Sequence, residues 1–71
     1  MKYLLVIEPT STGYSAYSPD LDGCIATGTT LEEVKQNMQE AIVFHLEGLQ
    51  IEGYPIPPSR CLTASIEVTV S

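Results

Sequence analysis

Few residues of this 71-residue chain could do chemistry, and they are spread along it. Glu8, Asp20, Asp22 and Glu67 are carboxylates that, brought within a few ångströms of one another, could hold the Mg²⁺ ions of a metal-dependent hydrolase. Cys24 and Cys61 are thiols that would need a base beside them, and the single histidine is His45. Asp20, Asp22 and Cys24 crowd into "SPDLDGC", just ahead of "IATGTTLEEV", where Gly28 and a threonine pair precede two glutamates. Every one of these residue types also has an architectural use. The elements that position them therefore decide between the two readings.

"KYLLVIE", Lys2 to Glu8, is a short apolar run closed by the turn "PTSTG", and it reads as a strand buried on both faces. Tyr14 to Ser18 follows as a second strand, "PDLDG" reverses the chain, and "CIATG" is a third strand ending at Gly28. In that turn Asp20 and Asp22 would bond nearby backbone amides, while Gly23 supplies a torsion other residues adopt only with strain. Thr30 fits a helix N-cap, with Glu33 three residues on completing a capping box.

Leu31, Val34, Met38, Ala41, Ile42, His45, Leu46 and Leu49 recur at helical spacing, and Glu32, Glu33, Asn37, Glu40 and Glu47 fall on the opposite side. Gly48, Gly53 and Pro55 predict that the helix fades near residues 48–50. "EGYPIPPS" is a stiff connector, because each proline fixes its own torsion and biases the residue before it toward extended geometry. In "CLTASIEVTV", Leu62, Ala64, Ile66, Val68 and Val70 alternate with polar residues, which predicts a fourth strand. A right-handed crossover through the helix would lay it beside the first. The expected architecture is α+β: a β-β-β-α-β two-layer sandwich over residues 1–71, with one helix on a four-stranded mixed sheet of order 3-2-1-4. This is also the arrangement of part of a ribonuclease H fold.

On that architecture the chemical readings weaken. The carboxylates do not converge, His45 sits in the apolar stripe as a packed residue, and the two cysteines fall on opposite edges of the sheet, too far apart to bridge. No phosphate-binding loop, GxSxG elbow or CxxC pair is present. Nine acids against three bases give a net charge of −6. Phosphate backbones would be repelled, whereas a basic protein would be attracted. The longest apolar runs are too short to span a membrane. The sequence thus predicts a cytoplasmic, non-enzymatic protein without metal or cofactor, binding neither nucleic acid nor membrane directly. Val43 and Phe44 flank the buried stripe, with Glu40 and Glu47 beside them. They are the expected contacts with a partner or with a second copy in a homodimer or higher oligomer.

The run "GYSAYSPDLDGCIATGTTLEEVKQNMQEAI" resembles the HicB-like antitoxin domain. That family carries an aromatic-rich second strand, a "PDLPGC"-type turn, a glycine-threonine helix entry followed by acids, and a proline pair after the helix. Pro19, Asp20, Leu21, Gly23, Cys24, Gly28, Thr30 and Glu33 are the matching positions, and Asp22 stands where many members have a second proline. The resemblance implies the antitoxin of a type II toxin–antitoxin pair, which binds and neutralises a small basic messenger-RNA-cleaving toxin, HicA. It is to the short form, without the DNA-binding domain of longer members. The alternatives are a solitary HicB-like domain that binds another protein, and a degenerate metal-dependent nuclease.

Overall fold

The computed structural model describes residues 1–70, so Ser71 of the expected single domain lies outside the described residues. Three antiparallel strands, β1 (Val6–Pro9), β2 (Tyr14–Tyr17) and β3 (Ile25–Gly28), form a sheet of order β1-β2-β3, followed by the helix α1 (Leu31–Glu52). The register runs from Val6 opposite Tyr17 to Pro9 opposite Tyr14, and from Tyr14 opposite Gly28 to Tyr17 opposite Ile25. Pro9 closes an edge strand, where its missing amide hydrogen costs little. The first strand is not buried on both faces. Its ladder begins only at Val6, and Tyr3 to Ile7 are half-buried.

Two consecutive turns join β2 to β3. The Leu21 amide donates to the Ser18 carbonyl at 3.1 Å, and the Cys24 amide to the Leu21 carbonyl at 3.2 Å. Pro19 occupies the second position of the first turn, where its fixed torsion suits the geometry. Gly23, at φ 77°, occupies the third position of the second, where the left-handed region favours glycine. Leu21 and Cys24 are thereby turned inward to join Ala16, Val34 and Met38 as the buried core.

The helix entry is a variant of the capping box. The Thr30 hydroxyl accepts from the Glu33 amide at 3.1 Å. The Glu33 carboxylate, however, reaches the amide and hydroxyl of Thr29, at 3.2 and 2.9 Å, rather than the amide of the cap residue. Gly28 lets this first turn lie directly on β3, since a Cβ there would stand 2.5 Å from the Val34 amide nitrogen. The helix does not fade at residues 48–50. It continues to Glu52 and ends at Gly53, φ 77°, with the Gly53 amide donating to Gln50 at 3.2 Å and the Tyr54 amide to Leu49 at 2.9 Å. This paired closure satisfies terminal carbonyls and outweighs the roughly 1 kcal/mol that Gly48 costs inside the helix.

The expected fourth strand and the order 3-2-1-4 are overturned. Residues 61–70 pair with no strand among the described residues and are exposed throughout, so the sheet is three-stranded and purely antiparallel. The arrangement that suggested part of a ribonuclease H fold therefore lacks its last strand. The reason lies in the connector. Tyr3 Oη donates to the Pro57 carbonyl, and Asp20 Oδ2 accepts from the Arg60 and Cys61 amides at 3.1 and 3.2 Å. These tethers lead the chain from the β1 side across the end of the sheet to the β2–β3 turn, away from the open edge of β1.

The helix lies over β3 and β2, with β1 outside its footprint. Val34 and Met38 are its buried residues. Leu31, expected at the centre of the buried stripe, is exposed, and Ala41, Ile42, His45, Leu46 and Leu49 are half-buried. Asn37, expected on the solvent side, is half-buried and donates from Nδ2 to the Thr27 carbonyl at 2.8 Å, tying the helix to β3.

Candidate protein-binding surface

The residues that could have formed a catalytic centre are held apart by the fold. Among the described residues no three His, Cys, Asp or Glu side chains come together in a way that could hold a metal ion. Glu8 is at the exposed end of β1, Asp22 is on the exposed side of its turn, and Glu67 is in the extended terminal segment. Asp20 does not bond its own turn, as the sequence suggested. It reaches forty residues along the chain to Arg60 and Cys61. Desolvation would raise its carboxyl, but the Cys61 and Arg60 amides outweigh that and hold it below the ordinary value.

Both thiols are free, though not for the expected reason. Cys61 is not on a distant sheet edge, because Asp20 tethers its amide to the same turn that ends at Cys24. Burial pushes the Cys24 thiol up, and the neighbouring Asp20 carboxylate pushes the exposed Cys61 thiol up. His45 lines the same shallow groove as Cys24, yet a thiol raised in this way is a poor nucleophile. Pro19, Leu21, Gly23, Gly28, Thr30 and Glu33 all act on the backbone or the core, in the turns and the helix entry described above.

The second half of the helix overhangs the sheet and exposes Val43, Phe44 and Ile51, with Phe44 79% accessible. Glu40 and Glu47, one turn to either side of Phe44, are exposed as well. An aromatic side chain standing between carboxylates on a rigid helix provides an apolar anchor with an acidic rim, a pattern suited to a basic protein surface. Beside this flank, Tyr3, Leu5, Ile42, Val43 and Leu46 line one part of a groove of about 590 Å³ and Glu32, Lys35, Gln36 and Gln39 another part, between the helix and the segment ahead of β1. Sequence reasoning found the helix flank from its angular spacing. It missed this groove and the tethers at Tyr3 and Asp20, which join residues far apart in the chain and leave no local signal.

Residues 3–69 match the family model of the HicB-like antitoxin of bacterial toxin–antitoxin systems. Among curated proteins, an uncharacterized 14.9 kDa protein of Haemophilus phage HP1 is 41% identical over 84% of this chain, and the chain spans 45% of that protein's length. A UPF0150 protein of Synechocystis is 38% identical over 82% of this chain and 73% of its own. Among solved structures, a chain of a HicA3 and HicB3 toxin–antitoxin complex matches with a TM-score of 0.73 and 38% identity, covering 83% of this chain and 70% of that one. The chain belongs to the HicB-like antitoxin family.

Proposed function

We propose that this chain is the neutralising module of a toxin–antitoxin pair, which binds a basic, messenger-RNA-cleaving toxin of the HicA type directly and performs no catalysis itself. The carrying observation is the likeness of its fold to a chain of a toxin–antitoxin complex, at an identity well above the level that speaks for fold alone. The net charge of −6 supports a basic partner, and so does the exposed Phe44 between Glu40 and Glu47. The scattered carboxylates support a binding role over hydrolysis. A cytoplasmic location belongs to the same reading.

The test is co-expression with the HicA-type protein encoded beside its gene. The expected outcome is restored growth and a complex that survives size-exclusion chromatography, while the free chain leaves RNA intact with Mg²⁺ or Mn²⁺. Phe44→Ala should weaken the complex by about 1–3 kcal/mol, as for an aromatic interface anchor. If growth is not restored and the two proteins do not co-elute, the chain is a solitary domain with another partner. RNA cleavage abolished by Asp20→Asn or Glu67→Gln would instead restore the nuclease reading.

A further inference from the structure

Residues 62–70 have the alternation of a strand with one apolar face but no strand partner among the described residues. Leu62 is 92% accessible, Ile66 85% and Val70 87%, so the face that the pattern prepares for burial is bare. The body of the molecule has the reciprocal deficiency. β1 is an edge strand whose ladder with β2 begins at Val6, and the helix covers β3 and β2 instead. The groove of about 590 Å³ between the helix and the segment ahead of β1 is open, with Tyr3, Leu5, Ile42, Val43 and Leu46 as its apolar lining beside polar helix residues such as Lys35 and Gln39. A fourth strand there would complete the sheet and fill the groove, with Thr63, Ser65, Glu67 and Thr69 turned to the other face.

We infer that residues 62–70 are a donated strand, which pairs with the β1 edge of a second copy and lays Leu62, Ile66 and Val68 into that copy's groove, reciprocally. The donor's own arm does not fill its own groove, since it pairs with no strand among the described residues and is exposed throughout. The Tyr3–Pro57 and Asp20–Arg60/Cys61 bonds carry the arm away from β1, and Pro55, Pro57 and Pro58 stiffen the bend that would have to reverse. A stiff, short hinge ahead of a strand favours exchange between copies over closure within one.

The size of the molecule fits. The radius of gyration is 14.4 Å, against roughly 11 Å for a compact chain of this length. The accessible surface is 5684 Å², against roughly 4,300 Å² for a folded monomer of this mass. The surplus from two copies exceeds the roughly 1,200–2,000 Å² that a stable interface buries. Nine residues of strand span about 30 Å, enough to run the length of β1 and of the residues 2–5 that precede it.

The proposal needs only this chain, so its outcome is separate from that of toxin binding. Sedimentation equilibrium of the full chain at about 100 µM, well above the dissociation constant of even a weak dimer, should report a dimer. Isotope-filtered NMR on a mixture of labelled and unlabelled chains should show contacts between chains from the methyls of Ile66 and Val68 to Leu5, Ile42 and Leu46. Ile66→Asp, exposed in the free chain, should weaken dimerisation roughly 100-fold or more, because it places a carboxylate against the groove's apolar residues Leu5, Ile42 and Leu46. Thr69→Asp, with the same charge on the opposite face, should change it by less than about threefold. Circular dichroism should show the same helix content in both variants. A monomeric wild type, methyl contacts within one chain, a dimer indifferent to Ile66→Asp, or equal loss in both variants would each overturn it.

Discussion

Asp20 shows how a residue type can be legible while its task is not. An aspartate after proline in a turn suggests local amide bonding, and the residue does bond amides, but those of Arg60 and Cys61. Because those bonds hold its carboxyl below the ordinary 3.8, the tether is fully present above that value and is lost as pH falls through the lower folded-state value. In an NMR titration the Arg60 and Cys61 amide resonances should therefore move together, with a midpoint below 3.8. Asp20→Asn should abolish that titration and leave the helix amides unaffected. Amides that titrate at or above the ordinary value, or identically in the variant, would show that Asp20 does not hold the connector.

At the scale of elements, the helix start was readable and the helix end was not. Thr30 and Glu33 are three residues apart, so a local rule covers them, and the hydroxyl bond to the Glu33 amide forms in the structure. Thr30→Ala should lower stability by about 1 kcal/mol, with Thr30→Ser close to wild type, measured by urea denaturation. Equal loss in both variants would mean that the threonine methyl, not the cap, matters. The far end defeated local reasoning because Gly48 looks like a stop. Gly53, five residues on, has the left-handed geometry that satisfies two helix carbonyls, and cooperative propagation carries the helix to it.

At the scale of the whole molecule, a charge of −6 and an overhanging apolar helix flank dictate how a basic partner should arrive. Steering by net charge acts on the association rate and is screened within about 8 Å at physiological salt. Raising the salt from about 0.05 to 0.5 M should thus slow association with a HicA-type toxin about tenfold or more and change dissociation much less. Stopped-flow fluorescence would measure both rates. An association rate independent of salt would place the recognition in the Phe44 patch alone.

The sequence by itself determined the three-strand meander, the turn, the helix with its threonine cap, the acidic charge and the family, because each is carried by neighbours in the chain or by composition. The helix flank at Val43 and Phe44 was also readable, since angular spacing on a helix is a local property. Only the tertiary structure decided that Asn37 ties to β3, that Leu31 is exposed, and that Cys61 is held at the turn that ends at Cys24. The terminal segment makes the division plain. Its alternation marks a strand whether or not a partner is present, but pairing depends on where the connector delivers it. Two long-range tethers, from Tyr3 to Pro57 and from Asp20 to Arg60 and Cys61, deliver it away from its own sheet.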